Sequence, residues 1–271
     1  MLSSKEEAKI LAGGQSLITL MKLRLASPKA LIDINGVGEL TQIREENGAI
    51  AVGALTRHDQ LARNSIIREK SPLLAEAASV IADQQVRNRG TIGGSLAHAD
   101  PTADLPTACT AIGGTIIAAS VNGSRSIESS DFFRDYFTTS LRQDEIIKEV
   151  RVPIPPPGSG GAYLKLSKGQ NDFAVVAVAV QVTIDGDDVC RTASVVLGGV
   201  APTPVHAEET ERFLVGRRLE DRVVEEGAQK AADRLSPPSD IRGSAEYRLE
   251  MAKSVTKRAV GLSASRARGS A

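Results

Sequence analysis

The stretch PIPPPGSGG, from Pro153 to Gly161, most constrains how this chain can fold. Prolines stiffen the segment, glycines loosen it, and nothing in it is expected to pack a core. At 271 residues the chain is long enough for two modest domains. We therefore predict one domain over residues 1–155, a second over residues 156–265, and a disordered tail over residues 266–271.

Before this boundary short strand and single helix patterns interleave, and after it three strand patterns precede the helical stretches; such a chain suits an α/β or α+β protein. Before the boundary, SPLLAEAASVIA predicts a helix with Ser71 as N-cap and Pro72 in its first position, and Asn122-Gly123 predicts a hairpin turn. After it, AYLKLS, FAVVAVAVQVTID and RTASVVLGGV predict three strands, followed by helical stretches up to about residue 265. We expect the second domain to be a smaller α+β unit with a three-stranded sheet and helices.

Charge and cysteine content exclude several classes of function. Lys plus Arg and Asp plus Glu both number 33, so no net field attracts nucleic acid or an anionic membrane surface. Cys109 and Cys190 form no CxxC pair, which argues against a zinc ribbon or an iron–sulfur cluster held by this chain alone. No apolar run approaches the ~20 residues that cross a bilayer. We expect a reduced, cytosolic protein that binds no nucleic acid.

Two loops share the same chemical character, a glycine pair followed by a hydroxyl residue. The first glycine loop is AGGQS at residues 12–16, and the second glycine loop is TIGGS at residues 91–95. Glycines let consecutive N–H groups turn toward a phosphate, and two such loops could hold one pyrophosphate, although a lone glycine pair more often marks a tight turn. Neither loop has Walker or GxGxxG spacing. The residues therefore predict a phosphate-bearing cofactor, but they do not identify which one.

Charged residues flank the second glycine loop. Asp100 and Asp104 follow it, but nearby prolines break any helix that would place both carboxylates on one face, so a metal site is disfavoured. A carboxylate here is expected to bond a ribose hydroxyl or a loop N–H. His98 is expected to be packed or solvated rather than catalytic. Arg87 and Arg89 either neutralise phosphate or pair with local acids.

Three longer stretches resemble one known family. AGGQSLITLMKLRLASPKALIDI, QVRNRGTIGGSLAHADPTADLP and LGGVAPTPVHAEE together resemble the FAD-binding medium subunit of the molybdenum hydroxylases, a group that includes aerobic carbon monoxide dehydrogenase and the flavin domain of xanthine dehydrogenase. The resemblance covers nearly the whole chain. It implies an α+β fold, with a two-subdomain FAD-binding domain of the vanillyl-alcohol-oxidase (PCMH) type followed by a smaller α+β domain. Family members usually begin with a further strand and helix, whereas MLSSKEEAK precedes the first loop here.

The resemblance also implies which residues bind FAD. The two glycine loops would wrap the pyrophosphate, Asp104 would bind the ribityl or ribose side, Ile147 would offer backbone contacts, and Lys165 would approach the isoalloxazine ring, where a cation stabilises the reduced flavin. From the residues alone, Ile147 could be only a core residue and Lys165 only a solvated lysine. The expected cofactor-binding residues are Leu11, Ala12, Gly13, Gly14, Gln15, Ser16, Leu17, Thr91, Ile92, Gly93, Gly94, Ser95, Asp104, Ile147 and Lys165.

In function, the resemblance implies an electron relay, so we expect neither a catalytic residue nor a metal ligand in this chain. Substrate would be oxidised at a molybdopterin centre in a large partner subunit. Electrons would cross two [2Fe–2S] clusters in a small partner subunit, and FAD would pass them to an external acceptor, either quinone or NAD. We expect a dimer of heterotrimers in the cytoplasm, or peripheral at the inner face of the membrane through the assembled complex.

Two other functions stay open from the sequence. A non-enzymatic scaffold would use the glycine turns only structurally and would be colourless. A stand-alone flavin oxidase or dehydrogenase of the same fold would act directly on its substrate. The latter is disfavoured because no clear catalytic base, and no His or Cys suited to a covalent flavin, lies beside either loop in the sequence.

Overall fold

The computed structural model describes residues 8–269 and contains a five-stranded and a four-stranded sheet, each in contact with helices. The elements up to Pro153 are β1 (Ala8–Leu11), α1 (Leu17–Lys22), β2 (Ala30–Asp33), a 3-10 helix (Gly38–Thr41), β3 (Ile43–Glu46), β4 (Ala49–Gly53), α2 (His58–Arg63), α3 (Ser65–Lys70), α4 (Pro72–Ser79), α5 (Gln84–Arg87), α6 (Ile92–His98), α7 (Asp104–Ala111), β5 (Thr115–Ser120), β6 (Gly123–Glu128), α8 (Ser129–Phe132), β7 (Phe133–Asp135), β8 (Thr138–Thr139) and β9 (Ile146–Pro153). The later elements are β10 (Ser159–Ser167), β11 (Ala174–Ile184), β12 (Cys190–Gly198), β13 (Val205–His206), α9 (Glu208–Leu214), α10 (Asp221–Gln229), a 3-10 helix (Lys230–Ala232) and α11 (Ala245–Gly269).

The first strands form a small unit with almost no core. β1 and β2 pair in parallel, with Ile10 opposite Ile32, and α1 connects them. Within residues 8–33, Gly13 is the one residue that is buried. Leu23 and Leu25, just after α1, are 63% and 72% exposed. Apolar burial contributes little to holding this unit in place, so its contacts with the rest of the chain matter more.

The five-stranded sheet has the strand order β3-β4-β9-β5-β6 and is antiparallel throughout. Its central strands carry fully buried side chains, including Ile50, Ile116 and Val150. The predicted hairpin is present as β5 and β6, with Ser120 paired to Gly123, whose φ of 124° favours glycine. The helices and loops between Gly53 and Thr115, including the second glycine loop, connect β4 to β5 of this sheet.

The predicted helix after Ser71 is also present. α4 spans Pro72–Ser79 and so ends before the last residues of SPLLAEAASVIA, and it buries Leu73, Leu74 and Ala77. Proline fits the first turn because its missing N–H would have no partner inside the helix. Ser71, however, makes no side-chain cap hydrogen bond, so the proline and the buried face define this helix start.

The sheet of the C-terminal half has four strands instead of the three expected, in the order β10-β11-β12-β13. The additional strand, β13, is two residues long and pairs Val205 with Leu197 and His206 with Val196. A two-residue strand leaves no alternating pattern in the sequence, because its pairing is set by the partner strand. The three long strands are those predicted, and the class of the domain, a sheet packed against helices, is unchanged.

The central strand β11 is apolar on both faces and joins the two halves of the molecule. Val178 and Val180 point into a core shared with α11, whereas Ala177 and Ala179 belong to the core of the N-terminal half, against which α4 and α7 pack. Small residues on the second face allow close approach: a Cβ added to Gly198 would lie 2.2 Å from Thr107 Oγ1. The two halves are therefore packed through a continuous apolar contact rather than through the linker alone.

The expected tail from residue 266 is wrong for residues 266–269, because α11 continues to Gly269. Ala267 is 1% exposed, and Arg266 donates a 2.6 Å hydrogen bond from Nη1 to the carbonyl oxygen of Gly161. Arg268 pairs with Asp188 at 2.7 Å. These partners are distant in the sequence, so the composition of SASRARGSA did not reveal them. Residues 270–271 lie outside the described residues.

No helix within residues 8–269 combines the length and the apolar character that crossing a membrane requires.

Candidate cofactor site between two glycine loops

The first glycine loop presents a run of main-chain donors. Gly14 has a φ of 76°, a conformation that favours glycine, and it turns the chain from β1 into α1. Within residues 8–269, the N–H groups from Gly13 to Leu17 donate to no protein acceptor. Consecutive unpaired N–H groups around a left-handed glycine form a concavity suited to an anion. This donor set fits a phosphate group, as the sequence predicted.

The first glycine loop lies directly against the chain that leads into the second. A Cβ added to Gly13 would lie 2.2 Å from the carbonyl oxygen of Arg89 and 2.8 Å from Cα of Gly90. Only glycine permits this approach, since real Cβ contacts are not that short. The sequence predicted that the two loops act together, and the structure brings them side by side.

The second glycine loop differs, because its N–H groups from Ile92 to Ser95 already donate to protein acceptors. Ile92 N donates to Thr56 O at 3.0 Å and Gly93 N to Ala54 O at 2.9 Å. The expectation that this loop offers consecutive free N–H groups is therefore wrong for this segment. Its glycines serve packing instead: a Cβ on Gly93 would lie 2.6 Å from Cβ of Ala54. The close packing of a helix start on β4 uses the donors that an anion would need.

The N–H groups of Gly94 and Ser95 are used at the start of α6. Thr91 is the N-cap, and its Oγ1 accepts a 3.1 Å hydrogen bond from Gly94 N. Ser95 N donates to Thr91 O at 3.0 Å, the first turn of the helix. Such a cap contributes about 1 kcal/mol to helix stability. Ser95 is partly buried, and its hydroxyl is a side-chain donor in this segment that could reach a ligand.

A link between the two loops was missed by the sequence analysis. Arg57 donates from Nη2 to Asn35 Oδ1 at 2.7 Å and from Nη1 to the carbonyl oxygen of Arg89. Asn35 Nδ2 in turn donates to Ala12 O at 2.8 Å. Arg57 and Asn35 follow β4 and β2 and lie in no recognisable motif, so only the fold assembles them.

Beneath the second loop lies His58, which no sequence pattern singles out. Its side chain is buried, and a Cβ on Gly90 would lie 2.6 Å from its Nε2. Burial, reinforced by the charges of Arg57 and Arg87, lowers the pKa of His58 to about 4. A buried imidazole with this pKa is neutral at neutral pH and serves as packing under the loop.

Asp104 and Lys165, both predicted site residues, meet at the contact between the two halves. Lys165 Nζ lies 3.1 Å from Asp104 Oδ1 and also donates to Val80 O at 2.8 Å. Tyr163, on β10 with Lys165, donates a 2.7 Å hydrogen bond to Asp104 Oδ1. Burial raises the pKa of Asp104, while Lys165 and Tyr163 oppose that rise. The ion pair is almost enclosed, with side chains 8% and 7% exposed.

Three other sequence candidates have ordinary structural settings. Ile147 is 5% exposed in the core and pairs with Ala118 of β5 next to a β-bulge. Asp100 caps its own turn, because its Oδ1 accepts hydrogen bonds from Thr102 N at 2.8 Å and Thr102 Oγ1 at 2.6 Å. His98 packs on the ring of Phe137 with centroids 5.2 Å apart. Burial lowers the pKa of His98, as for a packed histidine.

The sequence left the role of Arg87 open, and within residues 8–269 Arg87 forms no ion pair with an acid. Its Nη1 donates to the carbonyl oxygens of Ile81 and Ala82 at 2.7 and 2.6 Å. It thus holds the turn that precedes α5. Among residues 8–269, no three His, Cys, Asp or Glu side chains are grouped as metal ligands would be.

The fold and these residues define an α+β protein with a donor-rich loop suited to a phosphate-bearing cofactor. Residues 1–155 match the family described as the FAD binding domain in molybdopterin dehydrogenase, and residues 161–262 match the CO dehydrogenase flavoprotein C-terminal domain. The chain therefore belongs to the family of FAD-binding medium subunits of the molybdopterin dehydrogenases.

Similar proteins come from archaea and bacteria. The glyceraldehyde dehydrogenase medium chain of Sulfolobus acidocaldarius is 38% identical over 95% of this chain and 91% of its own. The carbon monoxide dehydrogenase medium chain of Hydrogenophaga pseudoflava is 40% identical over 94% of this chain and 88% of its own.

Solved structures show the same fold. In carbon monoxide dehydrogenase from Hydrogenophaga pseudoflava, a chain matches with a TM-score of 0.94 and 39% identity, over 98% of this chain and 92% of that one. A chain of quinoline 2-oxidoreductase from Pseudomonas putida 86 matches with a TM-score of 0.93 and 34% identity, over 99% of this chain and 92% of that one.

Proposed function

We propose that this chain is the electron-transferring flavin subunit of a heterotrimeric molybdenum hydroxylase, passing electrons from the [2Fe–2S] clusters of a partner subunit to an external acceptor. The observation that carries the proposal is the run of N–H groups from Gly13 to Leu17 that find no acceptor within residues 8–269, in a chain that belongs to an FAD-binding family. A stand-alone scaffold gives no reason to leave that many main-chain donors without an acceptor.

We propose that the first glycine loop holds the pyrophosphate of FAD. The donors are the N–H groups of residues 13–17, with the side chains of Gln15 and Ser16 beside them. Leu11 ends β1, and Ala12 joins the strand to the loop. The second glycine loop, residues 91–95, forms the opposing wall and contributes the Ser95 hydroxyl, while its glycines keep the wall close to β4.

Asp104 and Lys165 are proposed to serve the flavin end of the site. Bound FAD supplies a redox centre that accepts and releases electrons. Asp104 fixes the ammonium of Lys165 at a nearly enclosed position, where a positive charge stabilises a nearby negative charge more strongly than it would in water. Tyr163 holds the carboxylate from the other side. Ile147, at the bulge of β9 and β5, is proposed to offer main-chain contacts.

The proposed assembly contains a large molybdopterin subunit and a small [2Fe–2S] subunit, arranged as a dimer of heterotrimers, with quinone or NAD as the final acceptor. Several similar proteins carry names that denote parts of larger enzymes, including a medium chain of carbon monoxide dehydrogenase and a subunit of the 6-hydroxypseudooxynicotine dehydrogenase complex. This support comes from those proteins and extends to the present chain by similarity. A cytoplasmic location is part of the same proposal.

The decisive experiment is FAD retention by the purified full chain. Protein incubated with equimolar FAD and desalted is expected to keep a flavin absorption band, and Gly14→Ala is expected to weaken it. Alanine at a φ of 76° costs ~1–2 kcal/mol, which displaces the loop or its donors.

The matched control is Gly186→Ala, because Gly186 lies between β11 and β12 in the C-terminal half, and a Cβ added there would meet nothing within 4 Å. This variant should retain FAD as the wild type does. A colourless wild-type protein that takes up no added FAD would refute the proposed function.

A further inference from the structure

Arg57 occupies a position from which it holds both glycine loops. It pairs with Thr91 in an isolated antiparallel bridge, so its main chain is tied to the start of the second loop. Its guanidinium reaches the other way, with Nη1 on the carbonyl oxygen of Arg89 and Nη2 on Asn35 Oδ1 at 2.7 Å. The planar fork of arginine makes two directed hydrogen bonds that lysine cannot reproduce.

The link continues from Asn35 into the first loop. Asn35 Nδ2 donates to Ala12 O at 2.8 Å, and its own position is fixed by Asp33, whose Oδ1 accepts from Asn35 N at 2.9 Å. The same Arg89 carbonyl that Arg57 binds is the atom against which Gly13 packs. One side chain therefore connects the two segments through two routes.

The small unit of β1, α1 and β2 needs such a connection. Gly13 is the one buried residue within residues 8–33, so little apolar contact sets the position of the first loop. Polar contacts with fixed geometry then decide the distance between the two loops. The guanidinium of Arg57 hydrogen-bonds the segments of both loops and so helps to fix the distance between them.

Arg57 forms no ion pair with any residue from 8 to 269. Within residues 8–269, none of Arg57, Arg87 and Arg89 has a carboxylate within salt-bridge distance. The acid nearest in sequence, Asp59, pairs with Arg63 at 2.8 Å instead. The guanidinium of Arg57 thus brings a positive charge to the segments that join the two loops, although the Asp33 carboxylate also lies in this network through Asn35.

We propose that Arg57 is a positioning residue that clamps the first glycine loop against the second and thereby sets the affinity for the pyrophosphate-bearing part of FAD. The inference rests on the proposed function. It predicts that Arg57→Ala weakens binding of FAD and of ADP about tenfold, because hydrogen bonds from a charged donor are lost on both routes. Riboflavin, which has no pyrophosphate, is expected to bind both proteins equally.

The test measures dissociation constants for FAD, ADP and riboflavin with the full chain. Arg57→Lys keeps the charge but loses the fork, so its FAD affinity is expected to remain as low as that of Arg57→Ala. The control is Arg63→Ala, a 70% exposed arginine on the neighbouring helix α2, which should bind FAD like the wild type.

A double-mutant cycle with Asn35→Ala tests the route itself. Because Arg57 and Asn35 act in series, the double variant should bind FAD no more weakly than Arg57→Ala alone. Additive losses would contradict the clamp.

The outcomes distinguish a failure of the proposed function from a failure of the Arg57 clamp. If the wild type binds neither FAD nor ADP, the proposed function fails. If the wild type binds FAD and Arg57→Ala matches Arg63→Ala, the clamp is wrong and the function stands. Full affinity in Arg57→Lys, or an equal loss for riboflavin, would also overturn the clamp, because charge alone or general structure would then explain the effect.

Discussion

The two glycine loops look alike in sequence and differ in the structure. In the first, Gly14 adopts a positive φ, and the N–H groups of residues 13–17 have no protein acceptor in the part of the chain that the structure describes. In the second, Gly93 packs on Ala54 and the N–H groups of residues 92–95 are all paired. A glycine pair can thus provide either an open turn with free donors or a close contact between elements. The pairing of the donors, not the glycines, shows which role a loop has.

The largest expected effect concerns the packed loop. Gly93→Val places a side chain 2.6 Å from Ala54 Cβ and 2.8 Å from Ala54 O, so we expect about 3 kcal/mol of lost stability from overpacking. Denaturant unfolding of the cofactor-free protein measures this. Gly14→Ala should lose clearly less stability; an equal loss in both variants would remove the distinction between the loops.

The next effect concerns pH and the imidazole beneath the packed loop. The folded-state pKa of His58, about 4, lies below the ordinary value of 6.5, so the unfolded chain binds more protons between these values. Stability is therefore lost as pH falls from about 6.5 toward 4, by about 2 kcal/mol between pH 7 and pH 5.

His58→Gln removes this titration. The variant should show a shallower fall in unfolding free energy over that pH interval than the wild type. Parallel curves would mean that protonation of His58 is not linked to folding.

A smaller loss of stability is expected when the Thr91 hydroxyl of the second loop is removed. Thr91→Val removes the cap that accepts from Gly94 N and should cost about 1 kcal/mol, while Thr91→Ser should restore most of it. Unfolding in denaturant measures both variants. A loss shared by Thr91→Ser would indicate that the methyl group, not the cap, is responsible.

The smallest effect on stability is expected at Ser16. This residue precedes α1 but makes no side-chain cap hydrogen bond, so Ser16→Ala should change the unfolding free energy by less than about 0.5 kcal/mol. Its FAD affinity should nevertheless fall about threefold if the hydroxyl donates to the pyrophosphate. A large loss of stability would show that the open loop also has a structural cap.

Much of the fold was accessible from local patterns. The hairpin at Asn122-Gly123, the helix that begins at Pro72 and the strands β11 and β12 occur where the sequence placed them, whereas β10 begins at Ser159, inside the segment predicted as the boundary. Each depends on residues close in the chain, such as a turn dipeptide or an apolar alternation. The strand β13 and the end of α11 were missed because their partners, including Gly161 and Asp188 for the arginines of α11, are distant in sequence.

By itself, the sequence determined the α+β class, the two loops and the FAD-binding family, because glycine pairs, apolar periods and motif order are written in consecutive residues. Only the tertiary structure decided that the N–H groups of one loop find no acceptor among the described residues, while Ile92 and Gly93 of the other donate to Thr56 and Ala54. Likewise, only the fold joined Arg57 to Asn35 and Lys165 to Asp104. Hydrogen bonds between segments distant in sequence depend on how those segments pack together, and no local sequence pattern specifies that packing.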